Sequence, residues 1–351
     1  MSTASSSTPS PAARAQRAET RAQTRMGAAV ADFFLPSDAR LDDRTRAMAA
    51  RVLGDAVGAL DLAIRRHAAR LLGRTGPDDV AERLLRLRDD VAERLSRPGL
   101  LPAELVEEMI ARVRHDAMAE ALPVAVTGPD EPSLVVRLAG VPDAVVASAA
   151  SALLAAENRR QDDAAASSEL PAELHHRLAW LVAAALHEMA DHDPAVGRAL
   201  AEATARSIAA YDEGDRLDAV ATRLAIAIDA RGEELPELLT DALGDRRLTL
   251  FVAVLARALG FDQTQARALV IEPDDERLWL ALRAVALDRS AIARIALALA
   301  DADPRRDIEA FADRLDDVVA ISPQEARAAL AGLTLPNDFR SAIRVLGGAA
   351  R

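Results

Sequence analysis

The chain has 351 residues, 50% of them hydrophobic and 3% aromatic, and sets 43 basic against 55 acidic side chains for a formal net charge of -12 at pH 7. It contains no cysteine and no lysine, so every basic side chain is an arginine. Thiol nucleophiles, disulfides and Cys-ligated zinc are excluded, as are a P-loop, a kinase ATP-site lysine and a Schiff-base lysine, each of which needs the primary amine. Alanine supplies roughly a fifth of the residues, a composition suited to helices.

Residues 1–38 stand apart from the rest: Ser, Thr and Pro up to Pro11, then Arg14, Arg17, Arg21 and Arg25, with Glu19 the sole acid before Asp32. At 100° per residue these four arginines share one helical face. The alanines between them are too small to anchor a membrane-bound helix, and there is no apolar core of a secretory signal. The segment is expected to be a disordered tail. Its four arginines are candidate partner-binding residues for an acidic protein, and the acidic body argues against nucleic acid. No run of about 18 apolar residues is free of charge, so no membrane span is expected and a cytoplasmic location is the default.

From Leu41 onward the apolar residues recur at three- and four-residue spacing, from Met48 and Val52 through Ile64 to Leu72, and no comparable stretch alternates with period two. Gly76-Pro77-Asp78-Asp79 opens a helix over Val80–Leu95, and Arg97-Pro98-Gly99 ends it. Further helices are predicted over 102–122, 141–159, 171–191, 194–212 and 215–230. The Pro- and Gly-rich stretch 123–140 and the polar stretch 160–169 read as interruptions. Such a succession, joined by short turns, predicts stacked helical hairpins rather than a single bundle.

Internal repetition points the same way. The string LPAEL occurs at Leu101–Leu105 and again at Leu170–Leu174, with proline suited to a first helical turn. A longer match sets FVAVLARALGFDQTQARALV from Phe251 against FADRLDDVVAISPQEARAAL from Phe311 without a gap. Each copy reads as a helix, a helix-start residue (Asp262 or Ser322), an Ala-Arg helix and a short final helix, which places Trp279 opposite Phe339. Two modules of about 60 residues are expected at the C-terminal end. The repeated Arg267 and Arg327 suit the capping of a carboxylate or a neighbouring carbonyl.

The segment LSRPGLLP at residues 95–102 and the stretch LPELLTDALGDRRLTLFVAVLARALGFDQTQARALVIEPDDERLWLAL from Leu235 to Leu282 resemble an uncharacterised HEAT-like helical-repeat family of alphaproteobacteria, a domain of unknown function. The resemblance implies a helical-repeat architecture and a bacterial cytoplasmic regulator, and it carries no catalytic residue with it.

Candidate chemistry centres on the histidines, four of which crowd into His175, His176, His187 and His192. The string HEMADHD approaches the zinc-hydrolase HExxH, but its histidines are five apart, which sets them about 140° apart on a continuing helix. The same His-Glu pair suits the phosphoacceptor of a two-component dimerisation helix, although the expected proline comes late, at Pro194, and no ATP-binding boxes follow. His67 in IRRHAARLLG is placed as in phosphotransfer domains, without their lysine. Paired carboxylates such as Asp42-Asp43 and Asp316-Asp317 flank arginines at helical spacing, the pattern of a solvated face.

The sequence therefore predicts an all-α chain of stacked helical hairpins, a HEAT-like α-solenoid, with a C-terminal duplicated helical module. It divides into a tail (1–38), an N-terminal helical region (39–231) and a C-terminal region (232–351). The expected role is a non-enzymatic scaffold or regulatory adaptor for another protein, with no cofactor and no metal. Arg14, Arg17, Arg21, Arg25, Trp279 and Phe339 are its candidate partner-binding residues. The alternatives are a phosphotransfer protein using His187 or His67 and a helical metal-dependent hydrolase. Oligomeric state and partner identity stay open at this level.

Overall fold

The segments that carry a 3.6-residue apolar period form helices, and the turns between them fall at the Pro, Gly and Asp positions that stop or start a helix. The structure, a computed structural model, describes residues 40–346 except 76–77, 88–90, 98, 125–131, 161–168, 274–275, 337–338, 341 and 344–345. The tail arginines Arg14, Arg17, Arg21 and Arg25 lie outside the described residues.

Among the described residues there are sixteen α-helices and no β-strand. In chain order they are α1 (Asp43–Thr75), α2 (Asp78–Arg86), α3 (Val91–Leu95), α4 (Ala103–Ala121), α5 (Leu134–Ala139), α6 (Ala144–Arg160), α7 (Ala172–Met189) and α8 (Pro194–Ala209). They continue with α9 (Leu217–Ile228), α10 (Leu235–Gly244), α11 (Leu248–Leu259), α12 (Gln263–Ile271), α13 (Glu276–Ala284), α14 (Arg289–Ala302), α15 (Ile308–Ala320) and α16 (Pro323–Ala329). The unit predicted over Val80–Leu95 is thus two short helices. The stretch 123–140, expected as an interruption, contains α5, whose Leu134 and Val135 are buried and which packs on α6. Its LVVRLA core is too short for the period to stand out between flanking prolines and glycines.

The chain divides into two units, Met1–Ala47 and Met48–Arg351. In the first, Asp42 starts α1: its carboxylate accepts from Thr45 N at 2.7 Å and from Thr45 Oγ1 at 2.6 Å, an N-cap that satisfies an otherwise orphaned amide.

In the second unit three apolar clusters form: a small one around Ala281, Ala326 and Leu330, and two larger ones between which the chain alternates. The smaller of these two joins α1–α4 with α7 and α8, through residues such as Ile64, Leu84, Leu105, Leu178 and Leu200. The larger joins α5, α6 and α9–α15, through Leu153, Leu224, Leu239, Phe251 and Trp279 among others. Residues on both sides of Gly232 belong to it. The chain leaves the larger cluster after α6, builds the α7–α8 pair into the smaller one, and returns so that α9 packs beside α6 and α11. One helix serves both: α4 gives Leu105, Met109 and Val113 to the smaller cluster, and Met118 and Leu122 to the larger.

Arginine from one element closes the carboxyl end of another at several places. Arg65 donates to Leu84 O and Leu87 O at the end of α2, and Arg246 to Leu122 O after α4. Arg327 donates to Ala284 O at the end of α13, Arg306 to Val270 O and Glu272 O at the end of α12, and Arg283 to Ile321 O after α15. Helix carboxyl ends carry unsatisfied carbonyls and partial negative charge, and the guanidinium fork reaches two carbonyls at once where a lysine ammonium acts as a point charge. In a chain without lysine, arginine joins helix to helix as well as solubilising the surface.

Candidate functional site

A set of charged side chains beside an apolar helical stripe converges with partners from other helices. Along α4, Glu108, Arg112, His115 and Asp116 share one face, adjoining the stripe of Leu105 and Met109. Glu108, Arg112 and His115 are buried. Facing them are Arg160 at the end of α6, Glu169 ahead of α7, Asp218 in α9 and Arg267 in α12. Three arginines thus meet four carboxylates, and the free space left among the eight side chains is only about 10 Å³.

The pairing is specific. Arg267 donates to Glu108, and its other terminal nitrogen lies 3.5 Å from Asp218. Arg160 pairs with Asp116. Arg216 approaches Asp218 at 3.4 Å and Glu213 at 3.0 Å, and its Nε donates to Glu169 O at 3.2 Å. The Glu169 carboxylate accepts from Leu217 N at the start of α9, where an anion also meets the positive end of the helix. One acceptor has no partner: Glu108 Oε1 is buried without a hydrogen bond.

Burial sets the protonation states. Desolvation pushes His115 from 6.5 down to about 4, with Asp116 and Asp218 opposing it, so the ring is neutral at pH 7. Its Nε2 lies 3.4 Å from Thr249 Oγ1. Desolvation raises the Glu169 carboxyl, against the pull of Arg112 and Arg160. At Arg267 desolvation works against the charge, but Glu108 and Asp218 more than offset it and the guanidinium is held above its ordinary value. Half of it buried and its charges paired, this network has the anatomy of a structural joint rather than a substrate cleft.

The histidines singled out by the sequence are placed differently. α7 ends at Met189, and Asp191 and His192 take φ of 53° and 56°, so the two rings meet edge-on with centroids 5.1 Å apart instead of diverging along a helix. The His187 ring lies against Gly197 of α8, where an added Cβ would stand 2.9 Å from its Cε1, and its buried Nδ1 has no hydrogen-bond partner. His67 Nδ1 lies 3.2 Å from Arg70, and desolvation with Arg206 and Arg70 lowers its pKa. His175 stacks on Tyr211 at 3.9 Å, while the Tyr211 hydroxyl donates to Leu170 O. Among the described residues no three His, Asp or Glu side chains form a group that could hold a metal ion.

Of the two aromatics set opposite each other by the repeat, Trp279 is 2% exposed and packs on Phe311 with ring centroids 4.3 Å apart, whereas Phe339 is 56% exposed. The structure does not bring them to a common surface: Trp279 is core.

A groove of about 540 Å³ lies between α10 and α14, flanked by the end of α4 and by α5. Val124, Leu243, Ile295 and Ala298 give it apolar walls. Arg137 pairs with Asp241, and Asp245 accepts from Leu134 N, which fixes α5 to the end of α10. Glu237 and Arg294 stand exposed on its rim, and among the described residues neither side chain has a hydrogen bond or ion pair. No helix among the described residues is long and apolar enough to cross a membrane.

Residues 125–331 match the model of a family described as "Uncharacterised protein conserved in bacteria (DUF2336)". The match spans more than half of the chain, from just before α5 to the end of α16, and the chain belongs to that family. It takes in Arg160, Glu169, Asp218 and Arg267 of the buried network and leaves the α4 contributors outside. No curated protein matches the chain. No solved structure matches it either.

Proposed function

We propose that this member of the bacterial family is a non-enzymatic adaptor of the cytoplasm, built of HEAT-like stacked hairpins with a duplicated C-terminal module, which holds a segment of another protein in the groove between α10 and α14. The observation that carries the reading is the groove itself: about 540 Å³ with apolar walls and two exposed rim charges, Glu237 and Arg294, whose side chains have no partner among the described residues. Apolar walls with a charged rim are the composition of a protein-binding surface, and unpaired rim charges set register and encounter rate. The segment that fits presents small or aliphatic side chains to Val124, Leu243 and Ala298, a carboxylate to Arg294 and a basic group to Glu237.

Support for the hairpin architecture comes from the pairs α7–α8, α10–α11, α11–α12 and α14–α15, in which consecutive helices pack on each other. Support for the duplicated module comes from capping boxes at corresponding places: Asp262 with Gln265 before α12, and Ser322 with Glu325 before α16.

Capture from the native bacterial lysate tests the reading, with the full chain, an Arg294→Glu variant, a Val124→Asp variant and a chain lacking residues 1–38. The expected result is a protein retained by the full chain and lost from both groove variants. Retention by the groove variants but loss on truncation would move recognition to the arginine tail, and no reproducible partner in any arm would overturn the adaptor reading.

A further inference from the structure

Arg160 of the buried network also faces a second, open cavity of about 220 Å³, lined by none of the groove residues. Two further arginines, Arg246 and Arg247, reach it from the α10–α11 turn, together with Leu248, Thr249 and the carboxylates of Asp116 and Glu157. Each carboxylate is already committed to one cation: Asp116 to Arg160 and Glu157 to Arg247. Arg246 is the surplus. Its Nε donates to Leu122 O at 2.6 Å, and among the described residues its two terminal nitrogens make no hydrogen bond or ion pair.

Other donors lie beside it. Arg247 keeps its Nε buried with no hydrogen-bond partner while a terminal nitrogen pairs with Glu157, and desolvation lowers the pKa of this guanidinium. Leu248 and Thr249 are the first residues of α11, whose opening amides have no side-chain cap, so the positive end of that helix adds to the field of the arginines. The Thr249 hydroxyl supplies a neutral donor. A cavity with a surplus guanidinium, inside a chain of net charge -12, is a local reversal of sign.

We propose that this cavity binds a small phosphate-class anion, either inorganic phosphate or a compact phosphate monoester, with Arg246 and Arg247 as its main donors and Thr249 in support. Arginine forks match the oxygens of phosphate, and 220 Å³ leaves room for the anion with a short ester group. The inference does not depend on the groove holding a protein segment.

Isothermal titration calorimetry of the full chain with inorganic phosphate, in chloride buffer of constant ionic strength, tests it. Saturable one-site binding is expected. Arg246→Ala should weaken it about tenfold or more, the scale of losing charge-assisted hydrogen bonds. Thr249→Val, which keeps every arginine, should weaken it by a smaller factor, and Arg198→Ala, at an exposed arginine outside the cavity, should leave it unchanged. Titration with glycerol phosphate separates the two sources: tighter binding than phosphate assigns the monoester, and equal or weaker binding assigns the free anion. Absence of saturable heat with both probes, or equal affinity in the wild type and Arg246→Ala, would overturn the proposal.

Discussion

Arg267 and Arg327 occupy matching places in two strings that fold alike, and they end in opposite surroundings. Both strings make a helix, a capping box and a shorter Ala-Arg helix, and both bury their leading phenylalanine, Phe251 or Phe311. Arg267 is 5% exposed and pairs with Glu108 and Asp218 across the second unit, whereas Arg327 is exposed and its Nε donates to Ala284 O at 2.9 Å. The difference comes from what lies opposite. α12 packs on α4, whose polar face is turned inward, while α16 packs on α13 and meets its carboxyl end. Local sequence sets the helical frame, and the neighbour decides whether its arginine becomes a buried ion or a surface cap.

The sharpest way to break the comparison is to remove each arginine in turn. Arg267→Ala leaves Glu108, already short of one partner, buried without its cation, and is expected to cost about 3–5 kcal/mol. Arg327→Ala removes one hydrogen bond to a carbonyl that water then reaches, at about 1 kcal/mol. Urea unfolding of both variants measures the gap, and equal losses would mean that the two sites are energetically alike. The double variant Glu108→Leu with Arg267→Met, which removes both charges, should recover most of the loss.

Acid sharpens the same contrast, because the buried network holds titratable groups with shifted pKa values whereas Arg327 meets a backbone carbonyl. The folded pKa of His115, about 4, lies below its ordinary 6.5, so on acidification the unfolded chain takes up the proton first. Stability present above 6.5 is lost progressively as pH falls towards 4, by about 3 kcal/mol over the whole interval. Glu169, whose folded pKa is raised by desolvation, works with the opposite sign: the folded chain takes up its proton first, which offsets part of the loss on acidification. Urea midpoints at about pH 7.5 and about pH 5 should therefore converge in His115→Gln relative to wild type. An unchanged difference between the two pH values would remove His115 as the cause.

Much of this frame was legible in the sequence, and the limits have physical reasons. Asp262 and Ser322 are readable because a cap acts on amides two or three residues away. α4 and α6–α9 fall within a few residues of their predicted bounds because each carries several turns of apolar period. α5 was hidden by its length, and the meeting of His187 with His192 by two residues at positive φ that no periodicity encodes. The buried network left a faint trace: Glu108, Arg112, His115 and Asp116 lie at the edge of the apolar stripe of α4, where a solvated face would lie opposite it. Its partners are 44 to 159 residues distant in the chain, at Arg160 and Arg267, so nothing local could announce the pairing.

The smallest expected effects fall where the two strings are most alike. Asp262 Oδ1 accepts from Gln265 N at 2.6 Å and Ser322 Oγ from Glu325 N at 3.2 Å, while Gln265 and Glu325 each reach back to the N-cap amide. Asp262→Ala and Ser322→Ala should each cost about 1 kcal/mol, the ordinary value of an N-cap, despite the unequal fates of the arginines five residues on. Because the two caps serve different helices and share no partner, the double variant should lose the sum of the single losses to within about 0.5 kcal/mol. Thermal or urea unfolding of the three chains decides it. A cost at Asp262 several times that at Ser322 would mean that the cap of α12 is held by the buried network as well as by its own helix, and the separation drawn between local frame and distant neighbour would fail there.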